Sequence, residues 1–189
     1  GGGATIAGDT NFTGNDVSIS GLEGGGFDVA FSATTTTIDA NAYSVANVAN
    51  LNVSGDVGLN GTIATTGNQS YGGDVGLLGT TALTAGAGAI NLGTDGEGEG
   101  ASHTLTLGDA NQTGDVTLGG ASAVTLGGLN VAAGNFNLAI TAGASKAVTV
   151  SSPVDILSTG AFTVPTATND LDSVVTFKGG LNATAPSEV

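Results

Sequence analysis

Carboxylates are the side chains in this sequence with the most capacity for chemistry. Three of them, Asp56, Asp74 and Asp115, stand in the same Gly-Asp-Val context. If those segments stack at one corner of a repetitive fold, their carboxylates could bind Ca²⁺, which prefers oxygen ligands. The alternative is that each aspartate accepts hydrogen bonds from the backbone of its own tight turn. The Gly-Gly-x-Gly-x-Asp repeat of calcium-binding coils is only approximated, at 24–28, which favours the turn.

A second group of carboxylates lies in an acidic, glycine-rich segment that contains Asp95, Glu97 and Glu99. The segment interrupts the spacing of the apolar residues around it, so we predict a loop insertion over 94–102. Its carboxylates could hold a cation such as Ca²⁺ or contact a partner. Solvated surface decoration is the favoured alternative, and the sequence predicts no cofactor beyond this candidate Ca²⁺.

The other candidates for catalysis lack partners. His103 is the only histidine and the chain has no cysteine, so a zinc site lacks ligands, and we expect His103 to be exposed at a strand edge. Asp170 and Asp172 would lie about 7 Å apart on one strand face and could form the acidic pair of a polysaccharide-cleaving enzyme. However, the chain has only two lysines and no arginine, which leaves lyase chemistry without its usual base. We therefore predict that the chain is not an enzyme.

Charge and composition exclude further classes of function. Sixteen carboxylates against two basic residues give a net charge of −14, which repels the phosphates of nucleic acids. No run of about 18 apolar residues is present, so no membrane-spanning helix is predicted. The absence of cysteine excludes a disulfide scaffold.

Short strands must position the candidate residues. Apolar and polar residues alternate in brief runs, and Gly-Gly, Gly-Asp, Asn-Gly or Ala-Gly pairs between the runs allow tight turns. Helical spacing is nowhere sustained without glycine, so little or no helix is expected, and the best helical alternative covers 40–53. The predicted strands lie at 17–19, 29–31, 51–53, 105–107, 116–118, 124–126, 148–150 and 174–177.

The strands recur at a nearly constant spacing. The segment 68–77 aligns with 111–118 after a two-residue deletion, and 55–59 is a further copy. Aspartates at 16, 56, 74 and 115 are separated by 40, 18 and 41 residues, which multiples of one unit explain. Units this small cannot bury their apolar residues alone, which is typical of stacked solenoids. We predict an all-β, parallel β-helix with coils of about 18–22 residues, forming a single segment over 1–189 of a longer chain.

Threonine-rich runs raise one more surface function. In a β-helix, Val-Thr-Leu runs direct Val and Leu inward and Thr outward. Together with the four threonines at 34–37, they are compatible with an ice-binding ladder, which needs threonines in register on successive coils. Thr106, Thr117 and Thr125 are separated by 11 and 8 residues, so they are expected on different faces or strands, which argues against the ladder.

One family resemblance emerges from the repeats. The order Thr-Thr-Gly-Asn-Gln-Ser-Tyr-Gly-Gly-Asp-Val-Gly-Leu over 65–77, followed by strands at 81–84, 88–92 and 102–107, resembles the β-strand repeats of filamentous-haemagglutinin-type exoproteins. Those are very large surface or secreted proteins of Gram-negative bacteria, exported by two-partner or autotransporter routes. The resemblance implies a right-handed β-helix, a location outside the cell or on its outer surface, and repeats without catalytic residues.

We therefore expect a structural and adhesive, non-catalytic segment of an extracellular stalk or filament. Such a segment spans distance and presents its surface to a receptor or glycan, while neighbouring coils are its partners within the chain. The alternative is a subunit that polymerises end to end, because open β-edges of terminal coils pair with another copy. A polysaccharide-acting β-helix enzyme is a third alternative that rests on fold analogy alone.

Overall fold

The computed structural model describes residues 3–95, 103–118 and 124–138 and five further strands beyond them. Every regular element in these parts of the chain is a β-strand. The strands are β1 (Ala4–Thr5), β2 (Thr10–Ile19), β3 (Leu22–Glu23), β4 (Val29–Val48), β5 (Leu51–Val53), β6 (Asp56–Thr65), β7 (Gln69–Thr84), β8 (Ile90–Asp95), β9 (Thr104–Leu107), β10 (Val116–Leu118), β11 (Val124–Leu126), β12 (Gly128–Ala133), β13 (Phe136–Leu138), β14 (Ala147–Val150), β15 (Val154–Ser158), β16 (Phe162–Thr163), β17 (Val174–Phe177) and β18 (Leu181–Thr184).

All strand pairs are parallel, and they stack the chain into coils. One row of hydrogen-bonded strands contains the mutually paired residues Thr10, Val29, Leu51, Gln69, Ile90, Val116, Phe136 and Phe162. Leu51 and Gln69 are 18 residues apart, and Gln69 and Ile90 are 21 apart. The coils from Ile90 to Val116 and from Phe136 to Phe162 are each 26 residues long, beyond the predicted 18–22, and the first of them contains the segment predicted as an insertion. The parallel β-solenoid and its repeat are therefore confirmed.

Two further rows complete each coil. The row that ends a coil pairs Ala4, Leu22, Val45, Ile63, Leu83, Leu107, Val131, Ile156 and Ala183 in succession. The middle row pairs Val17, Thr36, Val57 and Val75. Later in the chain, β11, β14 and β17 form a separate parallel sheet. The chain thus passes through three strand positions before it returns to the first position one coil further on.

Several strands are much longer than the predicted runs, which cover three or four residues each. β4 covers 20 residues and β7 covers 16 because each bends around a corner while its pairing continues. The register of β4 against β6 shifts between Ala40 and Val45, where the chain turns into the last row. The helical alternative over 40–53 is wrong, because β4 continues to Val48 and β5 follows at Leu51. The right-handed winding implied by the resemblance stays a prediction.

Strand alternation builds the core as the sequence indicates. In β9, Leu105 and Leu107 are buried while Thr106 between them is half-exposed, and β10 repeats this with Val116, Thr117 and Leu118. Each fully buried leucine contributes about 1.5–3 kcal/mol of hydrophobic stabilisation. Because identical positions of successive coils stack, these side chains form one continuous core along the axis.

Candidate functional site

A ladder of carboxylates and carboxamides marks the corner where one coil passes into the next. Asp9 Oδ1 accepts a hydrogen bond from the backbone N–H of Asp28 at 3.0 Å. Asp28 Oδ1 accepts from the N–H of Asn50 at 3.1 Å and from Asn50 Nδ2 at 2.8 Å. Asn50 Oδ1 accepts from the N–H of Asn68, and Asn68 Oδ1 from that of Ala89, both at 2.8 Å. Each polar side chain therefore accepts a hydrogen bond from the next coil.

The same corner continues beyond the alanine. Asp115 Oδ1 accepts from the N–H of Asn135 at 3.1 Å and from Asn135 Nδ2 at 2.8 Å. Ala89 occupies the intervening coil, and its methyl group cannot accept a hydrogen bond. We call these residues the corner ladder: Asp9, Asp28, Asn50, Asn68, Ala89, Asp115 and Asn135.

The calcium candidates do not lie at one corner. Asp74 donates its backbone N–H to Asp56 Oδ1 at 3.0 Å, so these two aspartates are neighbours on successive coils. Asp115 belongs to the corner ladder instead. The alignment of 68–77 with 111–118 placed Val116 opposite Val75, whereas Val116 actually pairs with Ile90. The three carboxylates are therefore not stacked at one corner, because Gly-Asp-Val precedes the middle row in two coils and the first row in the other.

The turn interpretation of these aspartates needs one correction. Asp56 and Asp115 do accept backbone hydrogen bonds, but the donors are Asp74 and Asn135 of the following coil rather than their own turn. The glycine before Asp115 allows this close stacking, since a Cβ at Gly114 would overlap the carbonyl oxygen of Gly88 one coil earlier. The motif is therefore a device for joining coils.

The other predicted site residues are placed only in part. Asp95 is the last residue of β8, so the predicted insertion over 94–102 begins inside a strand, and Glu97 and Glu99 lie outside the described residues. His103 is half-buried rather than fully exposed, and its carbonyl oxygen accepts from the N–H of Gly127 at 2.9 Å. Asp170 and Asp172 also lie outside the described residues. Within the described part of the chain, no three Asp, Glu or His side chains are grouped to bind a metal ion.

Two other corners carry similar contacts between coils. Asn60 Nδ2 donates to Asp39 Oδ1 at 3.0 Å, and Asn47 Nδ2 donates to Glu23 Oε1 at 2.6 Å. Asp39 and Glu23 therefore also accept hydrogen bonds from the next coil.

Strand β7 contains a buried polar network that the sequence analysis did not predict. Tyr71 Oη donates to Gln69 Oε1 at 2.9 Å, and Gln69 Nε2 donates to the carbonyl oxygen of Thr84 at 2.8 Å. Burial raises the pKa of the Tyr71 phenol above its ordinary value of 10.0. Alternation from Leu51-Asn52-Val53, which pairs with Gln69-Ser70-Tyr71, would have placed both side chains inside. The network supplies hydrogen-bond partners to polar atoms in the core, and both side chains are buried away from solvent.

Gln112 is a second buried amide that the sequence pattern did not reveal. Its Oε1 accepts from the N–H of Ala85 at 2.9 Å, and its Nε2 donates to the carbonyl oxygen of Gly88 at 2.7 Å. The side chain thus satisfies backbone groups of the turn in the preceding coil. It lies outside any strand, so no period-two pattern points to it.

The three threonines compared in the sequence do not share one ladder, although Thr125 pairs in register with Thr149, and Thr149 with Thr176, on successive coils. Thr106 lies in β9, Thr117 in β10 and Thr125 in β11, which belong to three different rows, as expected from their spacing. Thr36, from the four-threonine run, is fully buried instead of exposed, and its Oγ1 has no hydrogen-bond partner among the described residues.

A shallow groove lies on the outer side of the first coils, next to the corner ladder. Asn11, Ala30 and Asn52 are paired in register across β2, β4 and β5. Asn11 and Asn52 are exposed, whereas the small Ala30 between them leaves a depression. The groove has a volume of about 380 Å³ and is lined by Asp9, Thr10, Asn11, Asp28, Val29, Ala30, Asn50 and Asn52.

Comparison with known protein families, curated proteins and solved structures finds no match to this chain. Among the described residues, no helix has the length and apolar character needed to cross a membrane. The site must therefore be interpreted from its own geometry.

Proposed function

We propose that this chain is a non-catalytic, structural and adhesive segment of a β-solenoid stalk that lies outside the cell or on its outer surface. The observation that carries the proposal is the corner ladder. Its side chains, such as Asp28 and Asn50, accept hydrogen bonds from the following coil rather than converging on a reaction centre. This use of polar groups supports a role in which the length and the surface of the rod are the function.

The geometry suits a spacer. Each added coil needs only hydrogen bonds and apolar contacts from its neighbour. A solenoid therefore lengthens by about 4.8 Å per coil while its core keeps the same cross-section. Outward positions carry small polar side chains, as Thr106 and Thr117 show. A surface of this kind stays hydrated while it is presented to a receptor or glycan.

The resemblance to filamentous-haemagglutinin-type exoproteins is part of this proposal. It is supported by the parallel coils, by the strands β7 and β9 within the segments that carry the resemblance, and by the strong negative charge, which suits a surface exposed to solvent. Within the proposal, export across the envelope accounts for a chain that has no cysteine to be oxidised.

A bead attachment assay with electron microscopy tests the proposal. Beads coated with the purified chain should attach to cultured animal cells more than beads coated with the variant Val53→Asp, whose buried charge disrupts the core. Negative-stain images of the unmodified chain should show short single rods. Equal attachment of both bead types would refute an adhesive role. Globular particles in the images would refute the stalk.

End-to-end assembly is the second candidate, and one observation favours it. The first coil leaves Phe12, Val17 and Ile19 only partly buried, and among the described strands β2 pairs only with β4, on one side. That open edge is suited to receive a further parallel coil, from the same chain or from a second copy. Long fibres that grow with protein concentration in the same images would favour this candidate over the single-rod stalk.

A further inference from the structure

A groove lies over Ala30 on the outer surface of the first coils. Ala30 is paired with Asn11 on one side and with Asn52 on the other, so the three residues form one line along the rod. With coils about 4.8 Å apart, the two asparagines stand roughly 10 Å from each other across the methyl group. The depression of about 380 Å³ falls within the size range of small-ligand sites, about 300–1,000 Å³.

The two asparagines differ from those of the corner ladder. Asn50 and Asn68 use their carboxamides to join coils. By contrast, the carboxamides of Asn11 and Asn52 make no hydrogen bond to another described residue, and both residues are exposed. Each carboxamide offers two donor hydrogens and one acceptor oxygen. The groove therefore has unengaged donors and acceptors at both ends of an apolar floor.

The charges around the groove restrict its ligand. Asp9 and Asp28 form one bank, and neither Lys nor Arg occurs among the described residues, so an anionic ligand would be repelled. A metal ion lacks a ligand set, because the described carboxylates are not grouped in threes. An uncharged molecule with many hydroxyl groups meets neither obstacle, and its hydroxyls can both donate to and accept from carboxamides.

We propose that this groove binds a neutral oligosaccharide, with Asn11 and Asn52 hydrogen-bonding its hydroxyls and the Ala30 methyl group contacting a ring face. The proposal names the ligand class of the adhesive surface and rests on the proposed function. Asp9 and Asp28 are held in place by the corner ladder, where Asp28 donates its N–H to Asp9 Oδ1. The bank of the groove is thereby positioned before any ligand arrives.

An array of oligosaccharides tests the proposal with the full chain and two matched variants. The array carries neutral, sialylated and sulfated oligosaccharides, and a lysine-rich peptide is included as a cationic probe. Ala30→Asn fills the groove with a side chain that its neighbours already carry. Ser70→Asn adds the same side chain at the next position of that line, which lies outside the groove. Circular dichroism verifies that both variants fold.

Neutral oligosaccharides should bind the unmodified chain, Ala30→Asn should weaken that binding about tenfold or more, and Ser70→Asn should change it less than about twofold. If Ala30→Asn fails to fold, the double variant Asn11→Ala with Asn52→Ala should show the same loss. Binding of only anionic glycans or of only the peptide, or no neutral glycan binding, overturns the proposal. So does undiminished binding by Ala30→Asn.

The bead assay separates this inference from the function on which it rests. If beads carrying Ala30→Asn attach to cells as well as beads carrying the unmodified chain, the groove is not the adhesive site, although the adhesive surface itself stands. If beads carrying the unmodified chain do not attach, the proposed function fails as well.

Discussion

Asp28 Oδ1 accepts two hydrogen bonds from Asn50 of the next coil, one from the backbone N–H at 3.1 Å and one from Nδ2 at 2.8 Å. A single carboxylate oxygen thereby fixes both the backbone and the side chain of its successor. Asn50 is then oriented to accept from Asn68. Along the corner ladder, each side chain that is fixed by one coil in turn fixes the backbone of the next coil.

Removing one member should weaken this link. Asn50→Ala deletes the donor to Asp28 and the acceptor for the N–H of Asn68, so the free energy of unfolding should fall by about 1–2 kcal/mol. Urea denaturation measures the change. Asn52→Ala is the matched control, because Asn52 is exposed and outside the ladder, and it should change stability by less than about 0.5 kcal/mol. Equal losses in both variants would show that the ladder contributes nothing specific.

Completing the ladder should stabilise the rod. Ala89 stands between Asn68 and Asp115 and has no side-chain acceptor for the following coil. Ala89→Asn supplies one, and the expected gain is about 0.5–1.5 kcal/mol. Thermal unfolding should shift to higher temperature, whereas Ala87→Asn, an exposed substitution two residues earlier, should leave it unchanged. A lower midpoint for Ala89→Asn would contradict the role given to this position.

The buried hydroxyl of Thr36 should be dispensable. Its Oγ1 has no partner, so Thr36→Val replaces an unsatisfied polar atom with a methyl group of similar shape and should stabilise the chain by about 1–2 kcal/mol. Thr81 is equally buried, but its Oγ1 lies within hydrogen-bond distance of the carbonyl oxygens of Leu59 and Gly79, at 3.2 and 3.0 Å, so its single hydrogen has an acceptor. Thr81→Val should therefore destabilise. Effects of the same sign in urea denaturation would refute the distinction.

Alkaline pH should destabilise the fold through Tyr71. Burial raises the pKa of its phenol in the folded chain above the ordinary value of 10.0, so above about pH 10 the unfolded chain loses this proton while the folded chain keeps it. Stability must then fall with rising pH, by up to about 1.4 kcal/mol per pH unit. Tyr71→Phe should lower stability near neutral pH, because Gln69 Oε1 loses its donor, and should also flatten the alkaline slope. An unchanged slope would contradict this assignment.

Whole coils should be removable in phase. Leu51, Asn52 and Val53 pair with Gln69, Ser70 and Tyr71, so deletion of 54–71 removes one complete coil and leaves Val53 in the place of Tyr71. This deletion should retain the β-sheet circular dichroism signal and cooperative unfolding. Deletion of 54–62 removes half a coil and should abolish both, because inward and outward residues of the remaining chain no longer match their neighbours. Comparable folding of the two deletions would contradict the coil register.

The sequence by itself determined that short alternating runs form strands, that these strands stack in parallel, and that coils of 18–22 residues recur from Val29 to Ile90. Runs such as Leu105-Thr106-Leu107 carry that information locally, because alternation assigns one face of each strand to the core. The repeat then follows, since strands this short require neighbours. The prediction of stacked parallel strands does not change if two repeats are aligned a few residues out of register.

Only the tertiary structure decided which polar residues meet. Asp74 contacts Asp56 while Asp115 lies at another corner, and the buried Gln69 and Thr36 occupy positions that resemble outward ones in composition. Partners are set by the pairing of whole coils, whose lengths vary from 18 residues between Leu51 and Gln69 to 26 between Ile90 and Val116. A motif shared by two segments does not reveal that register, because the hydrogen bonds that establish it run between coils rather than along the chain.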